Sequence, residues 1–593
     1  MKFNPKVSIV IPVYNGSNYL KEAIDSALSQ TYENTEVIVI NDGSNDNNKT
    51  DKICKSYGNK IRYFKKENGG VASALNMGIE KMKGEYFSWL SHDDVYYPEK
   101  VEKQIQYLSR LENNSNIVLY ANYELIDKDS NFIKRVELNH EELLEKPEYA
   151  LLRGCINGIT LLIPKSAFEK YGKFDESLKV TQDYDMWRRI IKTYEFVHMD
   201  EIYTKTRIHS KQDSNKHPDI WKEGDKLWIK MMKETPLEIK ERLEGSEYNF
   251  YYEMVDFLKR GTPYIGARTF ATEQMEGIYQ KTIGTLKDIK VSIIIPFFNR
   301  IPLLITCVES VESQTHRDIE ILLINDCSTD DVTGLEKHIK RDARIRLISI
   351  NKNKGPAYAR NVGIDKATGE YIAFLDSDDE FLPEKIEEQL LEMYLSNYNV
   401  GHTSYIRRGE GREEVINIGK LTGTVIPEII HSCKIATPTV MIKTKYLKKN
   451  GFKFREDIKI GEDTCFWLEV LRNTKLLGID KALTIVNANS KSAAFDSEKH
   501  LEGLTNVLGY LLTDTEYSRY HKEISNLYRR YVEVSKDVTI KEESKNLEGR
   551  ERVFQNKLEK LFYLFKYQGV ILTTKKIIWK YGPRIFNKKD KYE

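Results

Sequence analysis

Four adjacent polar residues, Asp376 to Asp379 in the order Asp-Ser-Asp-Asp, directly follow the apolar run EYIAFL. Two carboxylates separated by one residue just past the end of a strand can turn toward the same divalent cation. Hard cations such as Mg²⁺ and Mn²⁺ prefer oxygen ligands and share them readily with phosphates. A short acidic run also suits a solvated turn. The motif alone therefore leaves a metal site and an exposed turn open.

The same arrangement occurs twice, because the sequence contains an internal duplication. VSIVIPVYN at 7–15 recurs as VSIIIPFFN at 291–299, an offset of 284, and EYFSWLSHDD at 85–94 recurs as EYIAFLDSDD at 370–379, an offset of 285. Gln182-Asp183 falls on Glu462-Asp463 at an offset of 280. Several segments in one order at nearly constant offset indicate a duplicated domain, since the period is far longer than that of a solenoid repeat.

Apolar, strand-like runs alternate with helical segments within each copy. VSIVIPV and TEVIVIND predict buried strands, and NYLKEAIDSALSQ between them predicts a helix with apolar residues at i, i+3 and i+4. This alternation predicts an α/β fold with a mostly parallel sheet covered on both faces. In such sheets, ligands bind outside the carboxyl ends of the strands. The polar residues just past those ends are Asn15, Asp42 and Ser91 to Asp94 in the first copy, and Asn299, Asp326 and Asp376 to Asp379 in the second.

Length and composition limit the class of protein. At about 150 residues per domain, 593 residues correspond to three or four domains. The balance of 91 basic and 89 acidic residues, 91 − 89 = +2, argues against nucleic acid as the main partner. Six cysteines without a CxxC pair favour a reducing compartment. We see no secretory signal at the start and no apolar run of roughly 18 residues, so a cytoplasmic or membrane-peripheral protein is expected.

Several short motifs together resemble those of family 2 glycosyltransferases. They are IPVYN and IPFFN, INDGS and INDCS, ARNVG, DSDD, and the downstream pair QDYDMW and EDTCFW. The resemblance covers 7–215 and 291–490. It implies two GT-A modules in tandem, each a Rossmann-like α/β domain that uses a nucleotide-activated sugar. Two such modules in one chain are similar to bifunctional bacterial synthases of capsular polysaccharides.

The resemblance implies a role for matched residues in each copy. Asp42 and Asp326 would bind the uracil or ribose of the nucleotide, and Asp183 and Asp463 would be the general bases. The residues implied to line the base pocket are Pro12, Tyr14, Pro296 and Phe298. The residues implied to hold Mn²⁺ or Mg²⁺ are Asp376 and Asp378 in the second copy and Asp93 in the first, where His209 would reach the metal or the phosphates. Arg360 would direct a cation at the diphosphate.

Each of these residues also has a purely structural interpretation. Asp42 lies in an Asn-Asp-Gly-Ser sequence, a strong turn former. Asp183 and Asp463 could be helix N-caps, although capping and catalysis are compatible. A single histidine such as His209 is often structural. Trp187 and Trp467, which recur behind the two bases, fit a core position or an acceptor platform.

The expected activity is that of a bifunctional inverting transferase. It would move sugars from nucleotide donors, most simply UDP-sugars, to a growing bacterial surface glycan. A metal ion offsets charge on the leaving diphosphate, and a carboxylate accepts the proton of the acceptor hydroxyl. The alternative is one active second module with a degenerate first module that holds the acceptor, because Ser91 and Leu75 replace Asp376 and Arg360. A nucleotidyltransferase and a non-catalytic sugar-binding scaffold fit the motifs less well.

The expected domains are a first module at 1–215, a helical linker at 216–286, a second module at 287–497 and a helical region at 498–593. The last region ends in LFYLFKYQGVILTTKKIIWKYGPRIFNKK, which mixes aromatic with basic residues. Such a stretch suits a helix at the surface of an anionic membrane. It equally suits a helix that packs on the second module.

Overall fold

The computed structural model describes residues 3–111, 114–138, 146–209, 220–409, 411–488 and 497–543. Contacts between residues divide the chain into two compact units, 1–277 and 278–593. Each unit contains one copy of the duplicated motifs. The basic, aromatic end of the chain, for which we expect either a membrane surface or a packing role, lies outside the described residues.

The first unit alternates strands and helices and then continues as helices. Its strands are β1 (Val7–Val13), β2 (Thr35–Asp42), β3 (Arg62–Lys66), β4 (Tyr86–Trp89), β5 (Val95–Tyr96), β6 (Ile117–Ile126), β7 (Phe132–Val136), β8 (Ile163–Pro164) and β9 (Glu195–Arg207). Its helices are α1 (Leu20–Leu28), α2 (Lys49–Ser56), α3 (Val71–Lys81), α4 (Lys100–Leu108), α5 (Pro147–Leu152), α6 (Lys165–Tyr171), α7 (Gln182–Ile190), α8 (Ile220–Glu234), α9 (Leu237–Glu244), α10 (Glu247–Gly261) and α11 (Ile265–Leu286), the last of which extends past residue 277.

Two sheets form the first unit. The larger has the order β3-β2-β1-β4-β8, with β1 to β4 mutually parallel and β8 antiparallel to β4. The smaller has the order β5-β9-β6-β7. Reciprocal backbone hydrogen bonds of 3.1 and 3.0 Å between Leu119 and Leu162 connect them. The two sheets are therefore joined by an isolated β-bridge.

The second unit repeats this order without the interruption. Its strands are β10 (Val291–Phe297), β11 (Ile319–Asn325), β12 (Ile345–Ser349), β13 (Tyr371–Phe374), β14 (Glu380–Phe381), β15 (Val400–Gly409), β16 (Arg412–Ile416), β17 (Val440–Lys443) and β18 (Leu476–Asn487). Its helices are α12 (Ile301–Glu312), α13 (Thr333–Arg341), α14 (Pro356–Lys366), α15 (Lys385–Ser396), α16 (Ile426–His431), α17 (Thr444–Asn450), α18 (Glu462–Leu471), α19 (Ser497–Thr513) and α20 (His521–Glu543). The strand order is β12-β11-β10-β13-β17-β15-β18-β14, with β16 paired to β15.

The cores explain why these residues form these strands. All seven residues of β1 and all seven of β10 are buried, as expected for central strands covered on both faces. Gly78 of α3 and Gly363 of α14 let a helix lie directly on them. A Cβ at Gly78 would lie 2.3 Å from Val10 Cγ1, and one at Gly363 would lie 2.4 Å from Ile294 Cγ2. The α/β class with a mostly parallel sheet is confirmed in both units.

Within the described residues, no helix combines the length and the apolar character that a membrane crossing requires.

Candidate active site

Asparagines connect the ends of the first two strands in both units. Asn15 adopts a left-handed conformation with φ of +51°, which asparagine tolerates better than most residues. Its side-chain oxygen accepts the N–H of Asn45, in the loop after β2, at 2.8 Å. Asn299, with φ of +57°, accepts the N–H of Thr329 at 2.8 Å. These residues thus shape the rim at which the predicted nucleotide-binding aspartates lie.

Asp42 and Asp326 lie at the ends of β2 and β11, each only 3% exposed. The N–H of Gly70 donates to Asp42 Oδ2 at 2.8 Å, and Lys66 Nζ donates to Oδ1 at 2.7 Å. The N–H of Gly355 donates to Asp326 Oδ2 at 2.7 Å. The N–H of Gly69 also donates to both oxygens of Asp42, at 3.0 and 3.2 Å, and the N–H of Lys354 donates to Asp326 Oδ1 at 2.9 Å. A carboxylate has about four lone-pair sites, so Asp42 with three donor groups retains less capacity for a further donor than Asp326 with two. Both aspartates are therefore held in place by the loops that follow β3 and β12. These contacts are additional to the local turn that the sequence left as an alternative.

The predicted base-pocket residues divide into buried and exposed pairs. Pro12 and Pro296 are buried within their strands. Tyr14 is 42% exposed and Phe298 is 46% exposed, at the carboxyl ends of the same strands. Each unit thus has one exposed aromatic ring at the end of its first strand, on which a flat base could stack.

The acidic cluster of the second unit carries its own counter-charges. Arg360 donates to Asp376 Oδ1 at 2.7 Å, and Arg300 donates to Asp378 Oδ2 at 3.2 Å. Burial, and then the neighbouring Asp376 carboxylate, raise the pKa of Asp378 although Arg300 opposes this. The N–H of Asn487 donates to Asp379 Oδ1 at 2.8 Å. The mutual repulsion of these carboxylates is what a bound cation would relieve.

Arg360 extends from this cluster to the helix of the predicted base. It is buried and also donates to Glu462 Oε1 at 3.3 Å, at the start of α18. Burial alone would lower the pKa of Arg360, but Asp376 and then Glu462 more than offset this and raise it. Burial, followed by the charge of Asp463, raises the pKa of Glu462 to about 7. Arg360 therefore connects the acidic cluster to the helix of the predicted base. If it contacts a diphosphate, it does so while also paired with Asp376 and Glu462.

The first unit replaces all three members of this charged set by neutral residues. Leu75, fully buried, stands for Arg360, Ser91 for Asp376 and Gln182 for Glu462. The side-chain oxygen of Gln182 is buried without a hydrogen-bond partner. The three changes are chemically consistent, because a buried arginine and its carboxylates compensate each other's charge, and losing one partner leaves the others uncompensated.

A different pair marks the metal position of the first unit. His209 Nε2 lies 3.0 Å from Asp93 Oδ2, so one nitrogen and one oxygen donor face each other. The backbone N–H of Arg207, which is fully buried, donates to Asp94 Oδ1 at 2.8 Å, and its Nε donates to the Asp93 carbonyl at 2.7 Å. Arg207 also donates to Glu22 Oε2 at 2.6 Å. The structure thus brings His209 and Asp93 together, and their role as metal ligands stays a prediction.

The two predicted bases occupy the same position of equivalent helices. Asp183 and Asp463 are the second residues of α7 and α18, which begin at Gln182 and Glu462, so neither is an N-cap. Each accepts the N–H of the next residue, at 2.8 Å for Asp183 and 2.7 Å for Asp463. Burial raises the pKa of Asp183 to about 6. A carboxylate of raised pKa can accept a proton from a hydroxyl more readily than an ordinary aspartate.

Trp187 and Trp467 lie behind these bases with 0% exposure. Trp467 packs against Phe466 and Phe374, with ring centroids 4.9 and 6.2 Å apart. Of the two interpretations that the sequence left open, the core position is the one observed.

A divalent cation fits the donor chemistry of this rim. Among the described residues, no group of three or more His, Cys, Asp or Glu is arranged to hold a metal ion by itself. Asp376 with Asp378, and Asp93 with His209, each offer two donors. Mg²⁺ is commonly held by one or two carboxylates together with substrate phosphates, so the remaining ligands would come from the diphosphate and water.

Two features of the site were missed by sequence reasoning. Arg207 lies two residues before His209 in the sequence Thr-Arg-Ile-His at 206–209, and the sequence indicated a role for the histidine alone. Glu462 and Gln182 were noted as neighbours of the bases and not as partners of position 360. The signal was present, because residues 75, 91 and 182 all lose their charge relative to 360, 376 and 462.

The sequence of the chain is similar to those of known glycosyltransferases. Residues 8–172 and 292–448 match the model described as glycosyl transferase family 2. An uncharacterized glycosyltransferase of Rickettsia felis is 45% identical over 530 residues, which covers 88% of this chain and 86% of the relative. A chondroitin synthase of Pasteurella multocida is 28% identical over 367 residues, covering 60% of this chain and 36% of the synthase.

Among solved structures, Staphylococcus aureus TarS 1–349 in complex with UDP is 23% identical, with a TM-score of 0.34. That match covers 41% of this chain and 71% of the other.

Proposed function

We propose a function from one premise: the chain belongs to glycosyl transferase family 2. Its two units are GT-A modules. Each is proposed to transfer a sugar from a nucleotide donor, a UDP-sugar, to a glycan acceptor with inversion at the anomeric carbon. The product is proposed to be a bacterial surface polysaccharide. This proposal is supported by the similarity to a Pasteurella multocida protein named chondroitin synthase.

The observation that carries the proposal is the recurrence of one set of groups in both modules. A buried aspartate ends or directly follows the second strand (Asp42, Asp326), two adjacent aspartates lie beyond the fourth (Asp93 and Asp94, Asp378 and Asp379), and a partly buried aspartate is the second residue of the helix of the base. A set retained twice after duplication, with its hydrogen bonds, is expected of a working site.

The roles follow from the chemistry of each group. Asp42 or Asp326 would accept hydrogen bonds from the ribose or uracil, with Tyr14 or Phe298 beneath the base. Asp93 with His209, or Asp376 with Asp378, would hold Mn²⁺ or Mg²⁺, which when bound offsets charge on the diphosphate. Asp183 or Asp463 would accept the proton of the acceptor hydroxyl while the hydroxyl oxygen attacks C1 of the donor sugar and the bond from C1 to the nucleoside diphosphate breaks. One such in-line displacement inverts the anomeric carbon and needs no covalent intermediate.

A second candidate is one active transferase, the second module, with a first module that only holds the acceptor. The neutral set Leu75, Ser91 and Gln182 favours it. The Asp93–His209 pair and the raised pKa of Asp183 oppose it, because a holding module needs neither.

The test measures product formation from a panel of UDP-sugars after Asp93→Asn and Asp378→Asn separately. We expect each substitution to abolish transfer from one donor and leave transfer from the other within about twofold, since each acid serves its own site. Mass spectrometry of the product made from mixed donors identifies the sugars. Loss of every reaction through either single change would overturn two independent sites, and an inert Asp93→Asn would favour the second candidate.

A further inference from the structure

The loop that leads into helix α7 is held by a residue from outside the predicted first module. Glu223 of α8 accepts the N–H of Lys179 at 2.9 Å and 3.0 Å through its two oxygens, and the N–H of Val180 at 2.9 Å. The hydroxyl of Thr181 donates to the same carboxylate at 3.3 Å. Three consecutive residues are thus tied to one side chain. Asp183, the proposed base, follows two residues later.

Helix α8 is fixed on α7 at further points. Trp228, 5% exposed, packs on Tyr184 with ring centroids 5.6 Å apart. Arg188 and Glu234 form an ion pair between the two helices. The segment predicted as a linker therefore begins with a helix that packs directly on the helix of the base.

The second unit contains the same contact in another chemical form. The side-chain amide of Asn506 in α19 donates to the carbonyl of Ile460 at 2.9 Å. A Cβ at Gly461 would lie 3.2 Å from the carbonyl oxygen of Gly503.

The contacts also correspond in register, because 461 − 181 and 503 − 223 both equal 280. Gly503 meets Gly461 where Glu223 meets Thr181. The duplication thus includes the helix after each module, which in both units touches the loop before the base.

We propose that Glu223 is a positioning residue for the first site, whose carboxylate fixes the loop at 179–181 and so sets the place of Asp183 against the acceptor hydroxyl. The inference rests on the proposed function and deepens it, by making the helix after each module part of its acceptor side. Hydrogen bonds to an ionised carboxylate are among the strong ones. A misplacement of about 1 Å at a reacting group can lower a rate about a hundredfold.

The test compares Glu223→Ala and Glu223→Gln in the full chain carrying Asp463→Asn, which silences the second site. Glu238→Gln, an exposed glutamate at the start of α9, is the control. For Glu223→Ala we expect kcat about tenfold to a hundredfold lower, with the donor KM within about twofold. Glu223→Gln keeps one acceptor oxygen and should fall between Ala and the parent. Amide hydrogen exchange at 179 and 180 should become faster in Glu223→Ala and stay unchanged in Glu238→Gln.

The pH profile separates positioning from a general loss of folded protein. A looser loop lets water reach Asp183, which lowers its pKa and moves the acid limb of the rate profile to lower pH. Tyr184 beside it and Tyr264 from the segment before α11 face the same carboxylate in every variant. A folded Glu223→Ala whose rate falls equally at every pH, or does not fall, would overturn the proposal.

The exchange measurement also keeps the two proposals distinguishable. A parent that transfers no sugar would overturn the proposed function and, with it, the catalytic consequence of Glu223. Unchanged protection at 179 and 180 in Glu223→Ala would overturn the anchoring itself, whatever the activity.

Discussion

Arg360 and Leu75 occupy the same position of the two modules, 285 residues apart, yet they create opposite environments. Around Arg360 lie two carboxylates, Asp376 at 2.7 Å and Glu462 at 3.3 Å. Around Leu75 the corresponding groups are a serine and an amide. A buried ion pair adds little stability when it is complete, but removing one partner leaves an uncompensated charge.

Arg360→Leu should therefore destabilise the second unit by about 3 kcal/mol, because Glu462, whose side chain is only 13% exposed, loses its counter-charge. The double variant Arg360→Leu/Glu462→Gln, which copies two of the three changes found in the first unit, should recover a large part of that loss. Hydrogen exchange of second-unit peptides in increasing urea measures both, with first-unit peptides as the internal control. Equal losses in the single and double variants would contradict the coupling.

The pH dependence of the first site follows from Asp183. A base works only when unprotonated, and burial raises the pKa of Asp183 to about 6. In the Asp463→Asn chain, transfer should therefore rise with pH through about 6, where an ordinary aspartate near 4 would already be ionised. Asp183→Asn should lower the rate about a hundredfold or more and abolish this limb. A rate of the Asp463→Asn chain that is flat from about pH 5 to 8 would remove Asp183 as the base.

At the scale of elements, the glycines of α3 and α14 decide how closely a helix approaches the central strand. Gly78 lies over Val10 and Gly363 over Ile294, with no room for a Cβ in either case. The two glycines recur at an offset of 285, so both units have the same close approach of helix to strand. Because the loops that hold Asp42 and Asp326 lead directly into α3 and α14, this packing fixes where those loops lie relative to the central strand.

Gly78→Ala should destabilise the first unit by about 1–2 kcal/mol, because overpacking at Val10 outweighs the better helix propensity of alanine. Gly277→Ala is the matched control. Gly277 lies inside α11 and nothing approaches its added Cβ within 4 Å, so the change should stabilise by about 0.5–1 kcal/mol. Urea midpoints of the full chain give both values. A destabilising Gly277→Ala, or a neutral Gly78→Ala, would show that the contact at Val10 is not what matters.

At the scale of the whole molecule, each unit has its own core, its own sheet and its own candidate site. The strand order is shared, and the first unit differs in the single bridge at Leu119 and Leu162 where the second has a continuous sheet. Since every residue named for the first site lies in the first unit, a substitution in one site is expected to spare the other. The donor panel after Asp93→Asn and Asp378→Asn tests this separation directly.

Sequence patterns predicted those parts that depend on period and spacing. β1, β10 and the aspartates at the ends of β2 and β11 follow from apolar runs that stop at polar residues. The partners of Arg360 could not be predicted in this way, because Glu462 lies 102 residues further along the chain and only packing brings it near. The contact of Glu223 with the loop at 179–181 was missed for the same reason. A charged residue on a helix gives no local sign of which distant backbone it will bind.

The neutral set around Leu75 restricts the order in which the two modules could have diverged. Changing the arginine first would bury unpaired carboxylates, whereas changing the glutamate to glutamine first leaves the arginine paired with one acid. The tolerable path between the two states therefore passes through arginine with glutamine. Among relatives of this chain, leucine at position 75 together with glutamate at position 182 should be the rarest combination at these two positions. The charges of these side chains thus predict the order of the substitutions that separated the two modules.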